Sequence, residues 1–484
     1  MSPQRIIATA LTALLLFPFI FLIYQFRLFS IPESGEIIWA FKNSFIQSFF
    51  SALLSLTLGT LGALGLVRLA QSKLRTFIEW LCLVPNFVPP LFILLAVLNI
   101  LQPFPMGVWG IVLIHSFINI GLSAVIIARA IENKAGGMIE LGYIEGASRM
   151  RLLCSGVVPM LKSDLSRLFL FVFILSFASF SVPLIVGGGT GTTLEVLIYE
   201  RIRLSADWGE AVFIAALQSL FIFVLSLLVV KSRLQGANRP LPKQALGTWI
   251  GIVFILLLNS FLFYGYLQGV LAGFSNLATF SGMSAEILSA FMNSLWVGLI
   301  VGGLSLFGLL VFAFCWPQSW FEKFLNGYVA PSTALACFAF LVMGGSTEVI
   351  SYLKIPVVLF LLSITSLYRL GWASHLETLR RQYVVAEAMG ASHLHIFKEV
   401  MVPQLINKVG LLAGIGSVWA CGDFAVSRIL AHRDFTVGML TETLMSTYRL
   451  NQAAMLSTLL ILASGICFLV FWGGCRVLSK KLNS

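Results

Sequence analysis

The sequence predicts an all-α polytopic membrane protein, with about twelve transmembrane helices arranged as two repeated six-span bundles. Of its 484 residues, 58% are hydrophobic and only 11% charged, where an ordinary soluble domain carries about a quarter charged residues. Long apolar stretches recur, each near the roughly 20 residues that cross a bilayer as a helix. Short polar signatures of the first half return in the second, as expected of a duplicated bundle.

In chain order the apolar stretches lie at about 7–27, 45–70, 76–100, 107–130, 166–187 and 210–231, then 247–272, 289–315, 324–344, 355–374, 407–430 and 453–477. The first, "IIATALTALLLFPFIFLIYQF", is too long for the apolar core of a signal peptide. No small-residue cleavage site follows it, so it is read as an uncleaved span. The seven cysteines are scattered, with no Cys-x-x-Cys pair. They imply neither a disulfide framework nor a metal site.

The net charge of +11 would suit nucleic acid, but its distribution argues for a bilayer instead. With the N-terminus inside and strict alternation, about 23 of the 31 Lys and Arg fall on the inner side, the positive-inside bias. Both termini are then cytoplasmic. So is the linker "KSRLQGANRPLPKQ" (231–244), while 187–209 is outside. The expected units are 1–232, a linker at 233–246, and 247–484.

The repeat is visible at several points. "AFKNSF" (40–45) returns as "AFMNSL" (290–295), and Ser55 and Ser305 each lie twelve residues beyond the asparagine. At an offset of 244, "YIEGASRMRLLCSGVVPML" (143–161) matches the end of "AEAMGASHLHIFKEVMVPQL" (386–405), and "ASFSV" (178–182) falls on "GDFAV" (422–426). Both loops contain Gly-Ala-Ser followed by a proline thirteen residues after the glycine: Gly146 and Pro159, Gly390 and Pro403. A glycine can turn sharply or admit a neighbouring backbone. A proline suits the first turn of the helix that follows. One such loop is adequately explained as a solvated basic connection; two at matched positions point to a shared docking role.

These loops, about 138–161 and 382–405, resemble the signature cytoplasmic loop of the permeases of ATP-binding-cassette importers, written EAA, three residues, Gly, nine residues, I-x-L-P. Glu140, Gly146, Ala147, Ser148, Val158 and Pro159 fill it in the first loop, and Ala386, Gly390, Ala391, Ser392, Val400, Val402 and Pro403 in the second. Val384 stands where the second glutamate would be, and Gly156 replaces an aliphatic residue. The resemblance implies two type I importer bundles and a coupling helix in each loop, seated in a separate ATPase subunit that is itself a homodimer. It further implies a periplasmic or extracellular substrate-binding protein, and a place in the bacterial inner membrane. ATP and Mg would sit on the partner, with no cofactor on this chain. No Gly-Lys dipeptide occurs anywhere, so no phosphate loop of the Gly-x-x-x-x-Gly-Lys type is present.

"FASFSVPLIVGGGTGTTLEVLIYERI" and "GDFAVSRILAHRDFTVGMLTETLMSTYRLNQAA" are similar to stretches of the bacterial thiamine permeases, through the FASF, GGG and TT-x-E-x-x-IY elements and GDF. Related fused permeases carry ferric iron, which stays open as the alternative. On the residues themselves, Asp423 lies about sixteen residues into its span, roughly 24 Å from the inner end. Trp419 precedes it by one turn, and Ser179, between Phe177 and Phe180, is its repeat counterpart. A carboxylate beside aromatic faces suits a flat cationic ring. Asp423 could equally pair with Arg428 or end a helix.

Plainer readings hold elsewhere. Gly187, Gly188 and Gly189 read as an outer turn, and His393 and His395 point to different faces rather than to one metal. Asn43 and Asn293 are expected as helix caps or interfacial hydrogen bonds, and Glu79 is expected beside Arg75. A secondary transporter also has two six-span halves but has no need of matched Gly-Ala-Ser loops, and no paired carboxylates on the inner side suggest an enzyme.

Overall fold

The computed structural model describes residues 3–25, 29–31, 33–205, 207–229, 246–275, 284–316, 319–328, 330–342, 348–431 and 435–482. The expected linker at 233–246 lies outside them except for Leu246. Before it come eleven helices: α1 (Pro3–Gln25), α2 (Ser34–Arg68), α3 (Leu74–Phe87), α4 (Pro90–Ile100), α5 (Val108–Ala130), α6 (Gly136–Ile144), α7 (Arg149–Arg151), α8 (Val158–Phe177), α9 (Ser181–Val186), α10 (Leu194–Arg203) and α11 (Trp208–Val229). After it come eleven more: α12 (Trp249–Phe274), α13 (Ser284–Cys315), α14 (Ser319–Gly327), α15 (Thr333–Val342), α16 (Glu348–Leu367), α17 (Ala373–Ala388), α18 (His393–His395), α19 (Val402–Cys421), α20 (Ala425–Leu430), α21 (Val437–Ser446) and α22 (Leu450–Leu482). Each helix of the first set has a counterpart at the same place in the second. Even the π-helical turns recur, at 131–135 and 368–372, and at 152–157 and 396–401.

Among the described residues nine helices are long and apolar enough to span a membrane, or ten if the bent pair α3 and α4 is one span. Twelve were expected, and the shortfall has local causes. The stretch at 166–187 belongs to α8, which carries Lys162, Asp164 and Arg167 in its first half and ends at Phe177. The stretch at 324–344 is broken between α14 and the ten-residue α15, too short to cross by itself. At 76–100 the chain bends by 95° between α3 and α4, where the consecutive prolines Pro89 and Pro90 remove two backbone donors.

The two halves exchange their first helices. From the first half, α1 packs on α13 and α15 of the second, with Phe17 against Phe340, Phe21 against Phe338, and the Tyr328 hydroxyl donating to the Leu15 carbonyl at 2.6 Å. From the second half, α12 packs on α2 and α4 of the first. Glycines allow this contact: a Cβ at Gly251 would overlap the Leu61 carbonyl, and one at Gly265 would overlap the Ala96 carbonyl. Without a hydrophobic drive between helices in lipid, such close backbone packing is what holds spans together.

The same contacts fix which ends lie together. Gly65 meets Gly251 at the start of α12, and Gly273 at its end meets Asn451 at the start of α22. Gly410, early in α19, faces Cys475 late in α22. Gln47, early in α2, donates to the Ser176 carbonyl at the end of α8 at 2.8 Å, so α8 begins beside the end of α2. The loops before α8 and α19 therefore share one end of the bundle, and the start of α22 is at the other.

Candidate functional site

Both Gly-Ala-Ser segments fold the same way. Helix α6 ends in a paired closure, the Ala147 N–H donating to the Gly142 carbonyl at 2.9 Å and the Gly146 N–H to Tyr143 at 3.2 Å. Helix α17 ends in the same pair, Ala391 to Ala386 at 3.1 Å and Gly390 to Glu387 at 2.9 Å. This closure needs a left-handed residue, supplied by Gly146 at φ +75° and Gly390 at φ +83°. Ser148 then caps α7 by accepting from Arg151 N–H, and Ser392 caps α18 by accepting from His395 N–H, both at 3.4 Å. A π-helical turn follows in each, and Pro159 and Pro403 stand in the first turns of α8 and α19. The serine's role as a cap was not legible from the motif, although Ser before a short helix is its ordinary signal.

Each loop is anchored from below and bare above. Arg75 grips both Glu132 oxygens at 2.5 and 2.7 Å and Glu79 at 2.9 Å, so Glu79 and Arg75 do pair. Lys134 grips Asp164 at 2.7 Å. In the second half, Tyr383 and the Phe314 carbonyl hold both His393 nitrogens, at 3.0 and 2.9 Å. A carbonyl can only accept, so Nε2 carries the proton and Nδ1 accepts from the phenol. Burial, then the Glu387 charge, pushes the Tyr383 phenol up, which keeps that donor protonated. Gly156 gives up its aliphatic side chain to Met138, whose Cε occupies the space a Cβ would need. Toward solvent, Glu140, Ser148, Gly390 and Ser392 are exposed. So are apolar side chains at repeat-equivalent places, Met150 at 70% and Leu394 at 53%, with Ile144 and Met389 beside them. A Cβ at either glycine would meet nothing within 4 Å, so it is the left-handed backbone and not crowding within the described residues that calls for glycine there.

Past the long helices, both halves break and re-enter. In the first half α8 ends at Phe177, Ser179 lies in the break, and Phe180 is buried against Tyr199 at 5.3 Å. In the second, α19 ends at Cys421, and Asp423 lies beyond it, accepting from the Val426 N–H at 2.9 Å. Asp423 thus caps α20, and the expected continuous helix face joining it to Trp419 is interrupted at Gly422. Both residues remain half-buried. Gly422 sits directly on Pro89, which a Cβ there would overlap, so the α19 break of one half abuts the α3–α4 break of the other. Arg428 lies 3.7 Å from Glu442.

Two constellations go beyond the sequence reading. Of the two roles expected for Asn43 and Asn293, a cap is excluded, since their helices begin nine residues earlier, and hydrogen bonds to other segments are found. Asn43 donates to the Thr190 and Thr192 carbonyls at 3.3 and 3.1 Å, while Ser44 accepts from the Leu194 N–H at 2.9 Å. Asn293 donates to the Phe435 carbonyl at 3.1 Å and Ser294 accepts from Val437 at 3.0 Å. Each Asn-Ser pair clamps the start of a buried helix, α10 or α21. Glu195, fully buried on α10, accepts from Gln218 at 2.6 Å and from the Ala334 N–H at 3.0 Å. It caps α15 of the opposite half. The counterpart of α15 is α4, whose first residue, Pro90, follows Pro89 and has no N–H of its own to offer such a cap.

Residues 55–263 match the family model described as binding-protein-dependent transport system inner membrane component. The chain is 24% identical over 478 residues to the thiamine transport system permease protein ThiP of Escherichia coli K12, covering 89% of this chain and 87% of that one. It is 28% identical to its namesake in Haemophilus influenzae over 46% of each chain, and 30% identical to that of Brucella abortus over 27% of this chain and 24% of that one. No solved structure matches it.

Proposed function

We propose that this chain, an inner-membrane permease of the ATP-binding-cassette importer type, carries thiamine or a thiamine phosphate inward across the membrane. A separate ATPase, a homodimer, drives the motion through the two matched loops, and a soluble binding protein delivers the substrate at the opposite end. ATP and Mg belong to the partner. The observation that carries the mechanism is the duplicated loop: two helix closures with left-handed glycines, two serine caps and two exposed apolar side chains, all at one end of the bundle. A rigid lever needs a fixed base and a bare contact surface, and each loop has both.

Similarity to thiamine permeases along most of the chain supports the substrate. The ferric-ion alternative is not favoured by these relatives, and a gradient-driven transporter would have no use for the loops. Asp423 and Trp419, with Ser179 and Phe180 across the repeat, are proposed to border the passage beside the abutting breaks. There a carboxylate would attract a cationic ring as it passes. The test is uptake of labelled thiamine by cells lacking this chain. Wild-type chain should restore it, Gly390→Asp should not, and labelled ferric ion should be indifferent to both. Thiamine uptake unchanged by loss of the chain would sink the substrate assignment.

A further inference from the structure

A third helix in the described structure closes as α6 and α17 do, but without a glycine. At the end of α21 the Arg449 N–H donates to the Leu444 carbonyl at 2.8 Å and the Tyr448 N–H to Met445 at 3.0 Å. The left-handed position is Tyr448, at φ +60°, the one described non-glycine residue with positive φ. Glycine fills that position without steric cost, whereas a tyrosine is strained there. Among the described residues nothing repays the strain. The side chain is 80% exposed, and no ring contact or side-chain hydrogen bond of it is found among the described residues.

Its position narrows the possible partner. Helix α21 is buried from Val437 to Glu442 and packs on α22, α13 and, in the other half, α4 and α9, so its end emerges among the helices rather than on the lipid perimeter. Ser446, Thr447 and Arg449 beside it are exposed and polar, which suits water and not acyl chains. It stands at the start of α22, the end opposite the matched loops. The corresponding helix of the first half, α10, is followed by Leu204, 74% exposed, next to Arg203, which donates to the Ala431 carbonyl of the second half at 2.8 Å.

Resting on the function proposed above, we propose that Tyr448 is an anchor by which the soluble substrate-binding protein seats on the outer end of this permease, with Leu204 as its counterpart on the first half. Exposed tyrosines on a strained but fixed backbone make effective contact residues because little side-chain freedom is lost on binding.

The experiment uses the full permease with its ATPase in lipid nanodiscs, titrated with the thiamine-loaded binding protein of the same organism. Tyr448→Gly should leave basal ATPase activity and thermal stability unchanged or raised, because glycine suits the turn. The binding-protein concentration for half-maximal stimulation should rise about tenfold, and Tyr448→Phe should restore most of the difference. Unchanged titration of the glycine variant, with the wild type stimulated normally, overturns the anchor alone. A change in basal activity that follows the lipid composition and leaves the titration unmoved assigns the ring to lipid and also overturns it. A wild-type complex that the loaded protein does not stimulate removes both the anchor and the thiamine reading.

Discussion

At the scale of single residues, the two loop glycines are held by backbone conformation and not by crowding within the chain. A side chain in the left-handed region costs about 1–2 kcal/mol, less for Asn and Asp. Gly390→Asn and Gly390→Asp therefore strain the loop about equally and differ in charge. If the ATPase lies over this turn, both should reduce co-purification of the ATPase, with Asp the worse by several-fold and membrane abundance near normal for each. Retention of the ATPase by the Asp variant would count against docking at this loop. Asp423 permits a similar separation. Asparagine caps a helix as well as aspartate, so Asp423→Asn preserves the α20 start and removes only the charge. Import of labelled thiamine into proteoliposomes should fall, because a carboxylate near a cation at an effective dielectric of about 20 contributes a few kcal/mol at contact. Normal import would leave Asp423 a cap and nothing more. The glycine turns were legible because their chemistry is local and occurs twice. The break at Gly422 was legible only as one alternative, because a lone carboxylate at Asp423 within an otherwise apolar stretch reads equally as a helix end, a paired charge or a pathway residue.

At the scale of elements, buried carboxylates and amides do the positioning. Glu195→Ala would strand the Ala334 N–H and the Gln218 amide inside the protein, at about 1–3 kcal/mol for each buried group left unpaired. Glu195→Gln retains an acceptor for Ala334. Thermal unfolding in detergent should show the alanine variant several degrees below the wild type and the glutamine variant between them; equal melting of all three would remove the cross-half cap. Asn43→Ala and Asn293→Ala should likewise loosen α10 and α21. The repeat of "AFKNSF" in "AFMNSL" marked these asparagines, yet their partners lie more than 140 residues away in the chain, and no local rule reaches that far. The span count came out higher than the nine or ten long helices among the described residues for a related reason: the apolar stretch expected at 166–187 runs past the end of α8 at Phe177 into α9, while the structure begins α8 in the polar zone where Lys134 meets Asp164.

At the scale of the whole molecule, the all-helical class and the order of elements were legible because composition and self-similarity are global properties of a chain. The interlocking of the halves was not, since nothing in α1 or α12 announces which half it will pack on. Orientation remains testable. Cys154 is exposed and the other described cysteines are buried, so a Cys154→Ser background is suitable. A membrane-impermeant maleimide added outside intact cells should label Thr190→Cys and Thr447→Cys and leave Ser148→Cys unmodified. The reverse pattern would place the matched loops outside and end their ATPase role.

The exchange of α1 and α12 has a consequence for how such a chain can be divided. Each half lends one helix to the other and receives one in return, so the connection at 231–244 is redundant for holding them together. Two separate polypeptides, 1–236 and 237–484, should find each other in the membrane and restore uptake when produced in the same cell. A first fragment lacking residues 1–29 should not, because the second would then keep an empty seat along Phe338, Phe340 and Tyr328. One continuous chain therefore secures equal numbers of the two halves, while the grip between them comes from the helices they trade.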